Sequence, residues 1–217
     1  YKRQPDYLIV HKSIKGTLIK ELIDRIELTF DKNFDNTSDI TAIVNEKNFN
    51  RLTELIKENK IIYGGKSDPE NRYIFPTIID SPKMDSNIMK EEIFGPILPV
   101  LSFEKLEDID NIINKNPNPL ALYVFSNNKK FTETVVNRYS FGGGSINDTI
   151  VHLANSRLPF GGIGNSGIGS YHGKLSFELF SHKKSIVNRS TWFDNNLRYA
   201  PYKNKLSLVR KLMKYLG

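Results

Sequence analysis

Apolar residues recur along the chain at two spacings, one typical of helices and one of strands. Over residues 14–30 they lie three or four positions apart, which predicts an amphipathic helix, and residues 45–59 show the same spacing. Short apolar runs ended by turn signals predict strands over 7–10, 61–63 and 72–79.

From residue 97 onward, predicted strands and helices alternate with short links. This order is typical of parallel α/β packing with right-handed crossovers, so an α/β fold around a parallel sheet is expected. The elements are a strand over 97–103, a helix over 104–114, a strand over 120–126, a helix over 128–139, a strand or loop over 141–147, a strand over 183–189, and an amphipathic helix over 203–216.

The net charge is concentrated at the carboxyl end. Of the +7 carried by 217 residues, residues 198–217 contribute six basic side chains and no acidic one, which leaves +1 for residues 1–197. A near-neutral body without aromatic–basic clusters argues against a nucleic-acid partner. For the basic helix, packing of its apolar face on the body is favoured, and contact with an anionic membrane surface is the alternative.

Cysteine is absent, and the four histidines lack metal-ligand spacing. The first fact excludes disulfides, cysteine-ligated metals and a cysteine nucleophile supplied by this chain. His11, His152, His172 and His182 form no H-x-x-x-H or H-E-x-x-H pair. No metal site is therefore predicted.

Gly162, Gly164 and Gly167 fit the G-x-G-x-x-G pattern of dinucleotide-binding loops. That pattern binds pyrophosphate when a strand enters it, a helix leaves it and an acidic residue follows about 20 positions later. Here the entering segment at 157–160 is a poor strand, and residues 180–190 contain no acid. A tight turn that uses the conformational freedom of glycine is therefore favoured.

Two adjacent acids, Glu91 and Glu92, precede the strand predicted at 97–103, with Phe94 close behind. Acid–base work would require environments that separate their two pKa values, which the sequence does not reveal. One carboxylate could instead accept two hydrogen bonds from a diol such as ribose, with Phe94 as a flat apolar platform. The bare residues favour a third interpretation, a solvated loop with one core phenylalanine.

Several segments together resemble the aldehyde dehydrogenase superfamily, and specifically its class 3 or fatty aldehyde dehydrogenase branch. They follow the family's order along essentially the whole chain, which is similar to the C-terminal half of such an enzyme. The segments are Pro-Asp-Tyr at 5–7, Asn-Arg-Tyr-Ile-Phe-Pro-Thr at 71–77, Glu-Glu-Ile-Phe-Gly-Pro-Ile-Leu-Pro at 91–99, Pro-Leu-Ala-Leu-Tyr-Val-Phe-Ser at 119–126, Gly-Gly-Ser-Ile-Asn-Asp at 143–148 and the stretch over 158–173.

The resemblance implies oxidation of aldehydes to carboxylic acids with NAD or NADP, through a cysteine thiolate, an oxyanion hole and a glutamate-activated water. It implies that Glu92 holds the nicotinamide ribose hydroxyls, that Phe94 braces the end of the ring and that Phe160 lines the aldehyde tunnel. It also implies that the glycine stretch is a structural turn and that the N-terminal dinucleotide-binding domain is absent from this chain.

One departure from the family concerns the nucleophile. Its cysteine stands three residues before the Pro-Asp-Tyr triplet, a position that aligns with Lys2. A lysine ammonium with its ordinary pKa near 10.4 stays protonated at neutral pH and cannot give the thioester route. We therefore expect the chain to be inactive when it is alone.

The resemblance further implies a catalytic-domain portion over 1–180, an oligomerisation strand over 181–192 and a basic tail helix over 193–217. Because the strand would join a partner subunit's sheet, a homodimer is expected. The alternative is a non-catalytic module that associates with full-length subunits. The expected location is cytoplasmic, with weak peripheral membrane contact through the tail helix as a variant of it.

Overall fold

The computed structural model describes residues 4–30, 40–194, 196–203 and 205–216. The chain divides into two compact units, residues 1–179 and 180–217. The strands of the first unit are β1 Leu8–His11, β2 Ile61–Tyr63, β3 Ser67–Asp68, β4 Tyr73–Ile74, β5 Thr77–Asp80, β6 Ile97–Phe103, β7 Ala121–Val124, β8 Gly143–Ile146, β9 Phe160–Gly161 and β10 Ser170–Tyr171. Its α-helices are α1 Lys15–Thr29, α2 Glu46–Lys57, α3 Leu106–Ile113, α4 Lys129–Arg138 and α5 Gly173–Leu179.

The central sheet has the strand order β1-β6-β5-β2. β1 and β5 both run parallel to β6, whereas β2 runs antiparallel to β5. The prediction of a parallel sheet was therefore wrong for one edge, and the sheet is mixed. The physical reason is the connection: β2 returns to β5 through the short β3–β4 hairpin, and a parallel pairing needs a longer crossover.

A single strand over 72–79 was also predicted, and this prediction was wrong. The segment divides into β4 and β5, with Phe75 and Pro76 between them. Proline has no N–H to donate to a strand ladder, which favours a break at this point. Gly64 passes so close that a Cβ atom there would lie 2.2 Å from the Pro76 carbonyl oxygen, and its φ is +82°.

Helices cover both faces of the central sheet. On one face, Val10, Ile78 and Val100 pack against the half-buried apolar stripe of α1. On the other face, Ile79 and Leu101 pack with α2 and α3. Strand residues buried on both faces are typical of sheets with helices on either side.

The short sheet β7–β8 is parallel, with Leu122 opposite Gly144. A Cβ atom at Gly144 would lie 2.0 Å from the Leu122 carbonyl oxygen, so the close pairing of the strands depends on glycine. Helix α4 lies between these two strands in the sequence, as predicted, and begins with Asn128 accepting a hydrogen bond from the Phe131 N–H.

The glycine stretch after Gly161 forms the turn of an antiparallel β9–β10 hairpin. Ser166 Oγ accepts a hydrogen bond from the Ile163 N–H at 3.0 Å, and Gly164 has a φ of +58°. The interpretation as a structural turn is thus confirmed. Helix α5 follows directly, although its glycine-rich surroundings gave no sign of it in the sequence.

In the second unit, residues 183–189 form no strand within this chain, contrary to the prediction. A β-strand is defined by its hydrogen bonds to a neighbouring strand, and no described segment of this chain forms a strand ladder with residues 183–189. Ile186 is 75% exposed and Val187 is 90% exposed. Helix α6 Leu206–Leu216 agrees with the predicted tail helix and leaves Leu206 and Met213 exposed.

Candidate functional site

The segments that precede three parallel strands meet at one edge of the central sheet. Because Leu8 pairs with Val100 and Thr77 pairs with Ile97, the strands β1, β5 and β6 start at the same side. The residues before them, 5–7, 71–76 and 91–96, therefore lie at this amino edge. Three of the segments that carry the family resemblance are thus brought together by the topology of the sheet.

Asp6 ties two of these segments together. Its Oδ1 accepts a hydrogen bond from the Ile93 N–H at 3.0 Å. Burial raises the pKa of Asp6, and the nearby negative charge of Glu92 raises it further, while hydrogen bonds from the Ile93 and Phe94 amides act in the opposite direction. The Asp6 carboxylate is therefore a partly desolvated group held for its hydrogen bonds.

Arg51, on α2, holds the other backbone polar group of the same residue, in the peptide unit that follows it. Its Nη2 donates to the Ile93 carbonyl oxygen at 2.7 Å, and the Ile93 side chain is only 1% exposed. Among the described residues, Nη1 of Arg51 is buried and has no hydrogen-bond partner. The Ile93 residue is thus fixed through its N–H, its carbonyl and its side chain.

The residues on either side of Ile93 point a polar group and an aromatic ring toward solvent. Glu92 is exposed, and Phe94 is 52% exposed with a φ of +53°. Positive φ is uncommon for a bulky residue and indicates that the surroundings impose the loop's shape. The interpretation of Phe94 as a core residue was wrong, because Ile93 is the buried member of this segment.

The next residue presses the loop onto α2. A Cβ atom at Gly95 would lie 2.6 Å from Leu52 Cδ1, and Leu52 is fully buried. The loop over 91–96 therefore has a fixed backbone, an exposed carboxylate and an exposed apolar ring. Such an arrangement can accept hydrogen bonds from vicinal hydroxyls while a flat ring contacts Phe94. It fits a nicotinamide ribose in chemical terms.

Phe160 is placed by a different part of the fold, the β9–β10 hairpin. Its ring is half-buried and lies 5.3 Å from the Tyr171 ring and 6.4 Å from the His172 ring, centroid to centroid. His172 has a φ of +124°, and its backbone N–H donates to Ser176 Oγ at 2.9 Å. Phe160 thus belongs to an aromatic cluster, whereas Glu92 and Phe94 belong to the amino edge of the central sheet.

Lys2, which aligns with the family's nucleophile, lies outside the described residues. Within the described ranges, no group of three or more His, Asp or Glu side chains could hold a metal ion. None of the described helices combines the length and the apolar character needed to span a bilayer.

Sequence reasoning overlooked Asp6 and Arg51 as site residues. Asp6 was part of a family-like triplet, and Arg51 lies within the helix predicted over 45–59 without being singled out. Their contacts join residues 87 and 42 positions apart, and no local pattern reports such pairs. The one available signal was the placement of Asp6 directly before a strand.

Comparison with known proteins agrees with this architecture. Residues 4–186 match the model of the aldehyde dehydrogenase family. The chain is 45% identical to 4,4'-diaponeurosporen-aldehyde dehydrogenase of Staphylococcus aureus over 97% of its own length and 46% of that protein. It is 40% identical to the dimeric NADP-preferring aldehyde dehydrogenase of Mus musculus over 93% of its length and 45% of that protein.

The solved structure described as the substrate-bound state of Staphylococcus aureus AldH has a TM-score of 0.87 and 44% identity, and the match covers 98% of this chain and 47% of that one. The chain therefore spans about half the length of the relatives it matches. The predicted fold type, with the mixed sheet in place of a parallel one, is confirmed by this likeness. Both the family model and these relatives lead to one conclusion: the chain belongs to the aldehyde dehydrogenase family.

Proposed function

We propose that this chain forms the part of an aldehyde dehydrogenase that holds the nicotinamide ribose of NAD or NADP and lines the approach of the aldehyde. The observation that carries the proposal is the loop over 91–96, whose backbone is fixed at Ile93 while Glu92 and Phe94 stay exposed. Family membership supports this assignment. In this proposal residues 1–180 are the catalytic-domain portion, residues 181–192 the oligomerisation strand and residues 193–217 the tail helix.

Each proposed role follows from the chemistry of its side chain. The Glu92 carboxylate accepts hydrogen bonds from both ribose hydroxyls, and the Phe94 ring braces the end of the nicotinamide. Phe160 presents an apolar ring to the substrate, which suits medium or long aliphatic aldehydes and aromatic ones. When bound, the cofactor accepts hydride from the oxidised carbon.

Ribose recognition can be tested on this chain directly with nicotinamide riboside as the probe. Titration followed by backbone amide chemical shifts should perturb the amides of residues 91–95. Glu92→Gln should abolish the effect because the amide loses the charge that strengthens both hydrogen bonds. Glu91→Gln, one position away and equally exposed, is the matched control and should titrate like the natural chain. Equal titration of both variants would refute the role of Glu92.

We also propose that the chain has no activity when it is alone. A turnover assay tests this. The sequence contains no cysteine, so no residue of this chain supplies a thiol. NAD- and NADP-dependent oxidation of short, long and aromatic aldehydes should stay at the level of the buffer. A rate that Glu92→Gln abolishes would show that the chain possesses a nucleophile of its own.

The exposed apolar residues of the second unit favour self-association, and we propose a homodimer in which residues 183–189 add to a partner's sheet. Ile186 and Val187 lie in this segment and are strongly exposed. Exposed apolar side chains on consecutive residues are typical of surfaces that another chain covers. One of the relatives is a dimeric enzyme by its name.

The same surface supports a second candidate function, a non-catalytic module that joins full-length subunits. It would use the exposed segment without contributing chemistry. Co-expression with the intact Staphylococcus aureus relative carrying a different affinity tag tests it. Mixed oligomers are the expected result, and recovery of unmixed species alone would refute the module.

We also propose a cytoplasmic location with weak contact to anionic membrane surfaces through α6. The helix carries Arg210, Lys211 and Lys214, and it leaves Leu206 and Met213 exposed. Basic and apolar side chains on one helix favour binding in the lipid interface, with a strong dependence on salt. Cosedimentation with anionic vesicles at low salt should be lost when residues 203–217 are removed.

A further inference from the structure

We propose that Arg51 and Asp6 are positioning residues that clamp Ile93 through its backbone carbonyl and N–H and thereby set the place of the Glu92 carboxylate and the Phe94 ring. This inference rests on the proposed function of the loop. It adds two residues that do not touch the ligand themselves. They act through the backbone that carries the residues that do.

Arg51 comes from α2 and donates to the Ile93 carbonyl at 2.7 Å, while Asp6 comes from the segment before β1 and accepts from the Ile93 N–H at 3.0 Å. The N–H of Ile93 belongs to the 92–93 peptide unit and its carbonyl to the 93–94 unit, so the two bonds restrain the peptide unit on each side of Ile93. Because Glu92 and Phe94 flank Ile93 in the sequence, the clamp fixes both of their backbones.

Nη1 of Arg51 is buried and has no hydrogen-bond partner within the part of the chain that the structure describes. A buried guanidinium nitrogen without an acceptor costs free energy, and a methionine of similar length would avoid that cost. Stability therefore gives little reason for an arginine at this position. Functional sites typically keep groups that reduce stability. The Arg51 guanidinium is such a group, and it binds the loop that carries the Glu92 carboxylate and the Phe94 ring.

The backbone of Phe94 adopts a conformation that is uncommon for an aromatic residue. Its φ of +53° is costly for an aromatic residue and persists only when neighbouring contacts impose it. Asp6 supplies one such contact through its hydrogen bond with the N–H of the preceding residue, Ile93. Loss of the clamp should let the loop relax and turn Phe94 away from its exposed position.

The experiment uses the whole chain and three variants, Arg51→Met, Arg51→Lys and Glu92→Gln. For each, the thermal midpoint, the exchange rate of the Ile93 amide and the affinity for nicotinamide riboside are measured. Arg51→Met should lower the midpoint by no more than about 4 °C, because removal of the orphaned Nη1 donor offsets part of the cost of leaving the Ile93 carbonyl without its hydrogen bond. It should nevertheless bind the probe about three- to tenfold more weakly and exchange the Ile93 amide faster.

Arg51→Lys keeps the charge and one donor, so it should recover part of the affinity. A purely structural role for Arg51 predicts a lower midpoint with unchanged affinity, and that result would overturn the inference. Sensitivity to Glu92→Gln with no response to Arg51→Met would refute the clamp and leave the proposed function standing. Absence of binding by the natural chain would refute the proposed function. The exchange rate of the Ile93 amide would then test the clamp by itself, and an unchanged rate in Arg51→Met would overturn it.

Discussion

At the scale of single residues, the amino edge of the sheet combines groups of opposite character within a few positions. Ile93 is buried, and its two neighbours are exposed. The Asp6 carboxylate beneath them is partly desolvated, and the pKa of Asp6 is raised above its ordinary value of 3.8 chiefly by burial and secondarily by Glu92. The hydrogen bonds that the Asp6 carboxylate accepts from backbone amides therefore offset part of the cost of burying its charge.

The raised pKa of Asp6 gives a pH-dependent prediction. The folded protein binds the Asp6 proton more tightly than the unfolded chain, so the contribution of Asp6 to stability should fall as the pH rises from about 4 through its raised pKa. Asp6→Asn keeps an acceptor oxygen without the charge. Its stability relative to the natural chain should therefore increase over the same pH range.

Asp6→Ala is the control for this prediction, because it removes the acceptor and leaves the Ile93 N–H unsatisfied. It should lower the free energy of unfolding by about 1–3 kcal/mol at pH 7. Thermal unfolding of the three proteins at pH 4, 5.5 and 7 measures both effects. A difference between Asp6→Asn and the natural chain that does not change with pH would contradict the account.

At the scale of secondary-structure elements, the sequence predicted most helices and strands but not how they pair. Strong apolar periodicity placed α2 and β6 correctly, because each buries a regular set of side chains. The antiparallel edge strand β2 and the break at Phe75 and Pro76 depend on the connecting hairpin. Those features arise from contacts between segments, which periodicity does not contain.

Two glycine substitutions test how far backbone approach governs these elements. Gly144→Ala would bring a Cβ atom to 2.0 Å from the Leu122 carbonyl oxygen and force β7 and β8 apart. It should cost about 2–4 kcal/mol in the free energy of unfolding. Gly16→Ala, in α1, meets no atom within 4 Å and should instead stabilise the chain by about 0.5 kcal/mol. Denaturant unfolding measures both, and equal effects would contradict the structural explanation.

At the scale of the whole molecule, the two units differ in how well they bury their apolar side chains. The first has a continuous core on both faces of the central sheet. In the second, Phe180, Val187 and Trp192 are each more than 85% exposed. The sequence predicted a strand at 183–189, but no described segment of this chain pairs with these residues, and such pairing is a long-range feature that local sequence does not contain.

Trp192 is the single tryptophan of the chain and reports on this surface. It is 92% exposed, so its fluorescence emission should be that of a solvated indole at low protein concentration. Self-association through the second unit should shift the emission to shorter wavelengths as the concentration rises. The variant Ile186→Asp with Val187→Asp should stay at the long-wavelength value, because two charges oppose burial of the segment. Emission independent of concentration in the natural chain would contradict dimerisation through this unit.

The bond between Asp6 and Ile93 also has a consequence for the order in which the protein is built. Its two partners lie 87 positions apart, so a nascent chain that has left the ribosome only as far as β5 cannot make it. The amino edge must therefore assemble after β6 has emerged and docked between its neighbours. A translation product that stops short of β6 would retain its first helices yet leave the Asp6 carboxylate without the backbone amide that it receives in the finished molecule.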